Sequence, residues 1–170
     1  MEATGGTGGF EPWYRREHPR VLGALFVLSG EPDVARDATD EAFARALAHW
    51  HKVEGMESPG GWVYRVALNE LRRTLRRRST EARILQLHQP SEAPGGPLPE
   101  VWQAVSQLPG RQRTAIVLRF VADLPEADIA LAMGVRRGTV SSTLALARRR
   151  LSELLQDDVD TDPFEEVSHA

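Results

Sequence analysis

The sequence predicts an all-α protein of two small helical domains joined by a Pro/Gly-rich linker, with a helix-turn-helix in the second domain. Apolar residues recur at helical spacing along most of the 170-residue chain. A segment rich in Pro and Gly, residues 88–97, interrupts this pattern near the middle and is typical of a linker. Cysteine is absent, so neither domain can depend on disulfides.

The first two predicted helices are amphipathic. One covers Phe10–Ser29, and its Pro19 predicts either a kink or a later start of the helix. The next is expected to begin near Pro32 and to bury a row of alanines together with Phe43 and Trp50. Their apolar faces provide the core of the first domain.

A third helix before the linker ends in a dense group of arginines. Ser58 is predicted to cap its N-terminus, with Pro59 in the first turn. The arginines could follow a phosphate backbone, and Tyr64 and Asn69 could contact or stack on unpaired bases. A charged helix end that complements the helix dipole explains the same arginines without any ligand. The arginines concerned are Arg72, Arg73, Arg76, Arg77 and Arg78.

Four helices are expected after the linker. The first is predicted to present one apolar face, and Pro109 and Gly110 separate it from the second, over 111–121, whose apolar residues include Phe120. A short third helix is predicted between Leu124 and Gly134. The apolar face of the first comprises Val101, Trp102, Val105 and Leu108. The last helix has one apolar stripe, formed by Val140, Leu144, Ala147, Leu151 and Leu154.

The segment 124–151 matches a helix-turn-helix, because two helices flank a short turn that contains Gly134. In this motif the N-terminal residues of the second helix face base edges in the major groove. Arginine can bond guanine there, and Ser or Thr can contact bases or phosphates. A helical hairpin with a solvated Arg face is the alternative. The exposed residues expected at the start of the helix are Arg136, Arg137, Thr139, Ser141 and Ser142, with Arg148, Arg149 and Arg150 suited to phosphates further along.

The net charge of −3 conceals two basic and two acidic stretches. Residues 62–83 and 111–150 each carry +5, whereas 28–58 carry −4 and 153–170 carry −7. The basic stretches coincide with the two helices that could bind nucleic acid. The alternation therefore indicates DNA contact by part of the chain and protein docking or solvation elsewhere.

Asp37, Asp40 and Glu41 are expected to form an exposed acidic helix surface. Protein docking is the favoured interpretation, a solvated face is the alternative, and metal binding is disfavoured because no His lies at ligand spacing. No catalytic motif appears, so we expect no enzyme activity, no cofactor and no metal. With no long apolar run and no signal-peptide pattern, a cytoplasmic protein without membrane insertion is expected.

The predicted boundaries divide the chain into five parts. Residues 10–80 form the first domain, 81–97 the linker and 98–156 the second domain. Residues 1–9 are expected to be a disordered N-terminus, and 157–170 an acidic disordered tail.

Taken together, these motifs resemble the extracytoplasmic-function group of bacterial RNA polymerase sigma factors, over about residues 10–155. Residues 37–43, Asp-Ala-Thr-Asp-Glu-Ala-Phe, look like the acidic polymerase-binding motif. Residues 61–69 with arginines 76–78 look like the helix that recognises the −10 element. Residues 108–120 and the helix-turn-helix look like the domain that binds the −35 element.

The resemblance implies an alternative sigma factor that binds core RNA polymerase and recognises −10 and −35 promoter elements. Its first domain would bind the clamp helices of the β′ subunit, its second the β flap, and an anti-sigma factor could cover either surface. The implied polymerase-binding residues are Asp37, Asp40, Glu41 and Arg45. The implied −10 residues are Tyr64, Arg65, Asn69, Arg72, Arg73, Arg76, Arg77 and Arg78. The implied −35 residues are Arg136, Arg137, Thr139, Ser141, Ser142, Thr143, Arg148 and Arg149.

The −35 helix departs from the family pattern. Members usually carry more basic residues where Ser141, Thr143 and Leu146 stand, so the −35 contact is expected to be weak or to have an unusual sequence preference. Two other interpretations remain open. A DNA-binding regulator that works without polymerase would bind DNA alone, and a helical adaptor that binds only proteins would tolerate neutralisation of its arginine clusters.

Overall fold

The computed structural model describes residues 8–84 and 100–157, which form eight helices and no strand. The predicted all-α fold class is therefore confirmed for this part of the chain. The helices are α1 (Phe10–Ser29), α2 (Pro32–Ala48), α3 (Trp50–Val53), α4 (Pro59–Ile84), α5 (Glu100–Gln107), α6 (Gly110–Phe120), α7 (Glu126–Met133) and α8 (Arg137–Asp157). No described helix is long and apolar enough to cross a membrane.

The helix starts of the first half follow their local sequence signals. Pro32 occupies the first turn of α2, where its missing N–H would have no helical partner anyway. At the start of α4 the Gly61 amide donates to Ser58 Oγ at 2.9 Å, which confirms the predicted N-cap. The later start proposed for α1 is wrong, because the helix begins at Phe10 and continues through Pro19.

An aromatic cluster explains why α1 extends so far towards its N-terminus. Phe10 and Trp13, both ahead of Pro19, pack against Trp50 with ring centroids 5.3 and 4.9 Å apart. Trp13 also lies 5.2 Å from the ring of Phe43 in α2. Aromatic pairs at these separations contribute about 0.5–1.5 kcal/mol each beyond burial. Together these contacts offset the free energy that is lost because Pro19 cannot donate a backbone hydrogen bond within the helix.

The core of the second half is built around α8. Val140, Leu144 and Ala147 are fully buried, and Leu151 and Leu154 are partly buried, as the predicted stripe requires. The apolar residues Val101 and Phe120 do not join this core, since their side chains are 51% and 63% exposed. Val101 lies in the first turn of α5 and Phe120 is the last residue of α6. Periodicity along one helix cannot tell how far the neighbouring helix extends.

The two halves pack directly against each other, a point the linker composition left open. Helix α4 lies against α7, and α1 contacts α6. A Cβ placed on Gly61 in α4 would lie 3.3 Å from Leu131 Cβ and 3.5 Å from Asp128 Cα in α7. Glycine at this position therefore permits the close approach of the two helices.

A cavity of about 480 Å³ lies between the halves. Leu71, Arg72 and Leu75 of α4 line one side, and Gly134 and Val135 from the turn after α7 line the other. The turn of the second half thus faces the basic end of α4.

Some predicted boundaries fall at the limits of the described residues. Helix α4 continues to Ile84, four residues into the predicted linker, and Gly8 and Gly9 form a turn ahead of α1. The rest of the predicted linker, the first seven residues and the tail after Asp157 lie outside the described residues.

Candidate nucleic-acid interface

Helices α7 and α8 have the geometry of a helix-turn-helix. Gly134 ends α7 in the left-handed region, with φ of 67°, where a side chain would be strained. Backbone amides of Gly134 and Val135 donate to the carbonyls of Leu131 and Ala130 at 3.2 and 3.0 Å. These bonds close the end of α7 and direct the chain into α8 three residues later.

The start of α8 presents most of its predicted DNA-binding side chains to solvent. Thr143 is the exception in this turn, because it is half-buried and its hydroxyl donates to the Thr139 carbonyl at 2.6 Å. Ser142 also donates to that carbonyl, at 3.1 Å. The exposed residues are Arg136, Arg137, Thr139, Ser141 and Ser142, followed further along by Arg148 and Arg149.

Glu126 joins this surface, although the sequence analysis did not single it out. It stands in the first turn of α7, and its Oε2 accepts the Ser141 hydroxyl at 2.6 Å. The same oxygen lies 3.9 Å from Arg137 Nε. No local sequence signal links residues 15 positions apart on two helices.

The basic surface of α4 is largely exposed. Arg73 pairs with Glu70 at 3.0 Å, and Arg78 bonds Glu31 at the start of α2. Both arginines are exposed, whereas the Glu70 side chain is largely buried, so the guanidinium groups remain accessible to phosphates. The exposed members of the predicted −10 set are Arg65, Asn69, Arg73, Arg76, Arg77 and Arg78.

The prediction that Tyr64 contacts bases is wrong, because its side chain is fully buried and cannot contact DNA in this structure. Its position places it with Val63, Ala67 and Leu68 on the inner face of α4. Burial, followed by the charge of Glu17, raises the pKa of the Tyr64 phenol above its usual value, so the phenol stays neutral. Its function is therefore packing.

Arg72 occupies an intermediate position, half-buried at the wall of the cavity between the halves. Burial lowers the pKa of Arg72, and the positive charges of Arg76 and Arg111 lower it further. Arg111 belongs to α6, so like charges face each other across the contact between the halves.

The acidic surface of α2 is exposed as predicted. Asp40 Oδ1 lies 3.1 Å from His18 Nε2, and Arg45 bonds Glu41 at 2.7 Å. Asp37 is also exposed, one turn before these residues. The helix holds its carboxylates in fixed register, which suits a protein partner with basic side chains.

Two family models match the chain, one to each half. The model described as Sigma-70 region 2 matches residues 13–81, and the model described as Sigma-70, region 4 matches residues 98–151. The first match includes α4 and the acidic surface of α2. The second includes the helix-turn-helix.

Relatives of this chain match nearly its whole length. It is 29% identical to the RNA polymerase sigma-E factor of Streptomyces coelicolor, over 92% of both chains. It is 30% identical to the ECF RNA polymerase sigma factor EcfG of Rhodopseudomonas palustris, over 82% of this chain and 81% of that protein.

A solved structure has the same arrangement of helices. The sigma factor RpoE of Bartonella quintana, in complex with the anti-sigma factor NepR, gives a TM-score of 0.72 at 25% identity, over 86% of this chain and 96% of that one. The fold also resembles that of CnrH in complex with the cytosolic domain of CnrY, at 21% identity and a TM-score of 0.64, over 91% and 92% of the two chains.

Proposed function

Because this chain belongs to the extracytoplasmic-function sigma factors, which direct promoter-specific initiation by RNA polymerase, we propose that its two basic surfaces divide promoter recognition between them. The observation that carries the proposal is the presence of an exposed arginine surface on α4 in one half and a helix-turn-helix in the other. We assign the −10 element to α4 and the −35 element to α8. Acting with core polymerase places the protein in the bacterial cytoplasm.

We assign the −10 surface to the members of the predicted set that are exposed or half-buried on α4, which are Arg65, Asn69, Arg72, Arg73, Arg76, Arg77 and Arg78. Arginines along one helix can follow a phosphate backbone, and the Asn69 amide can bond a base edge. The −35 surface lies at the start of α8, where a major groove would meet Arg136, Arg137 and Ser141. Arg148 and Arg149, two turns later, suit flanking phosphates.

The polymerase contact is assigned to the acidic surface of α2. Asp37, Asp40 and Glu41 are exposed, and Arg45 extends the row by one turn. Exposed carboxylates steer association with a basic partner and fix its register. Arg45 lies 3.7 Å from Glu70 of α4, which also pairs with Arg73, so the acidic surface adjoins the −10 surface at this point.

Reversing two of these exposed charges should weaken polymerase binding without disturbing the fold. In the Asp37→Lys/Asp40→Lys variant, juxtaposed like charges should weaken binding to core polymerase at least about tenfold, since such contacts cost several kcal/mol. Promoter-specific transcripts should fall in proportion at limiting protein. The measurement is titration of core polymerase with labelled protein, followed by transcription from a pooled promoter library.

The matched control is Glu54→Lys/Glu57→Lys, which makes the same charge change at exposed positions after α3. We expect it to bind core polymerase like the parent protein. Equal binding by all three proteins would show that α2 does not contact polymerase.

The packed arrangement cannot bind both promoter elements at once. The elements are centred about 25 base pairs apart, which is about 85 Å of duplex. In the structure, the turn before α8 and Arg72 of α4 line the same cavity. We therefore propose that the halves separate when the protein joins polymerase and DNA. The chain from Ile84 to Glu100 can span at most about 55 Å when extended, and helices α4 and α8, about 39 and 32 Å long, can make up the rest of the distance.

We propose an anti-sigma factor as a further partner. The structural relative from Bartonella quintana is bound to one, and this chain covers nearly the whole of that sigma factor. A partner that held the halves together would keep α4 and α8 from reaching their separate elements. The exposed acidic and basic surfaces both offer charges for such a contact.

A further inference from the structure

Glu126 and Ser141 form a pair at the start of the DNA-reading helix. The Ser141 hydroxyl is 2.6 Å from Glu126 Oε2 and 3.4 Å from the Arg137 carbonyl, so the carboxylate is its main partner. Ser141 is exposed, and Glu126 is half-exposed beside it. We infer that Glu126 is a specificity-determining residue, which makes this point of the −35 surface select bases that carry an amino group.

The chemistry of a hydroxyl explains the selection. Ser141 has one hydrogen to donate, and a carboxylate can only accept. With that hydrogen directed to Glu126, the hydroxyl oxygen can offer only lone pairs to the DNA. The second oxygen of Glu126 is likewise only an acceptor. The pair therefore presents acceptors alone to the major groove.

The major groove distinguishes acceptors from donors. Adenine N6 and cytosine N4 carry amino donors there, whereas guanine and thymine offer oxygen acceptors at the equivalent position. A pair that can only accept hydrogen bonds will bond the amino group of adenine or cytosine. At guanine or thymine, the pair would instead place its acceptor against the oxygen acceptor of the base. A free serine would bond all four, because its hydroxyl can rotate to donate or accept.

Arg137 makes the carboxylate compatible with DNA. An isolated carboxylate at this position would repel phosphates, but Arg137 Nε lies 3.9 Å from Glu126 Oε2 and offsets part of its charge.

The inference rests on the proposed assignment of α8 to the −35 element, and one experiment tests both. Holoenzyme made with the full chain transcribes a library whose −35 positions are randomised, and the transcribed templates are sequenced. The parent protein should favour adenine or cytosine over guanine and thymine on the order of tenfold at one position. Glu126→Ala should lower that ratio to near one, and so should Ser141→Ala.

The Glu126→Ala/Ser141→Ala double variant should lose no more of this preference than either single variant, because both act through one hydrogen bond. Glu126→Gln keeps an acceptor for the hydroxyl but removes the charge. It should retain much of the base preference while binding all sequences more tightly. If Glu126 acted only through its charge, Glu126→Ala would alter the affinity for all sequences and leave the base preference as it was.

Glu153→Ala is the matched control. It removes a carboxylate that bonds Arg149 at 3.3 Å on the same helix, away from the base-reading turn, and should leave the preference unchanged. A preference that persists in Glu126→Ala overturns the inference while the assignment of α8 stands. A parent protein with no preference at any −35 position overturns the assignment of α8 and the inference together.

Discussion

A disulfide between cysteines introduced at Gly61 and Leu131 should abolish promoter-dependent transcription, and reduction should restore it. A Cβ at Gly61 would lie 3.3 Å from Leu131 Cβ, close to the separation of about 3.5–4.5 Å in disulfides. The bridge would hold α4 against α7, so the two DNA-binding surfaces could not reach elements about 85 Å apart. The protein has no native cysteine, so the introduced pair has no competing thiol. The measurement is multi-round transcription before and after reduction, with crosslinking followed by gel mobility.

Each single cysteine variant serves as a control. Gly61→Cys also reports any cost of moving the Ser58 hydroxyl, which would lie 2.8 Å from the new Cβ. Both single variants should transcribe with and without reductant. Undiminished transcription by fully crosslinked protein would show that the halves need not separate.

Neutralising Arg76 and Arg77 should weaken promoter binding strongly and in a salt-dependent way. Each phosphate contact contributes about 0.9 to the slope of log K against log salt on duplex DNA, and about 0.7 on single strands. Loss of two contacts by Arg76→Gln/Arg77→Gln should lower that slope by about 1.4–1.8. At 0.1 M salt, the affinity of holoenzyme for promoter DNA should fall on the order of fiftyfold. The measurement is promoter binding by holoenzyme across a salt series.

Arg15→Gln/Arg16→Gln makes the same change of charge at two exposed arginines of α1. Its salt slope should equal that of the parent protein. If both double variants lowered the slope alike, the effect would come from net charge, and α4 would not follow the DNA backbone.

The helix-turn-helix could be predicted from sequence because its signals are local and independent. Val140, Leu144 and Ala147 recur at helical spacing, and Gly134 occupies the one turn position where a left-handed backbone is needed. The starts of α2, at Pro32, and of α4, capped by Ser58, were predictable for the same reason. Such features depend on residues only a few positions apart.

Tyr64 was assigned to the wrong face of α4. It shares a basic helix with the arginines, which suggested contact with bases. Yet its spacing to Leu68 and Leu71, both buried, places all three on the inner face of α4. Burial of this row could have been inferred from periodicity alone.

The contact between the halves and the Glu126–Ser141 bond could not be predicted from the sequence. Both depend on distances between helices that are remote along the chain. A glycine in the first turn of α4 permits a close neighbour, but nothing in the sequence tells which helix supplies it. Similarly, an acidic residue at the start of α7 is common in helices, and its bond to Ser141 follows only from the angle of the turn.

Separation of the two halves on promoter binding can be measured as a change in the distance between them. Labels on cysteines introduced at His49 and Ser152, both exposed and one in each half, would report it by energy transfer in the free protein and in the complex with polymerase and promoter. We expect a single short distance in the free protein and an increase of tens of ångströms in the complex. The same short distance in both states would mean that α4 and α8 bind DNA without separating, and the proposed separation of the halves would be wrong.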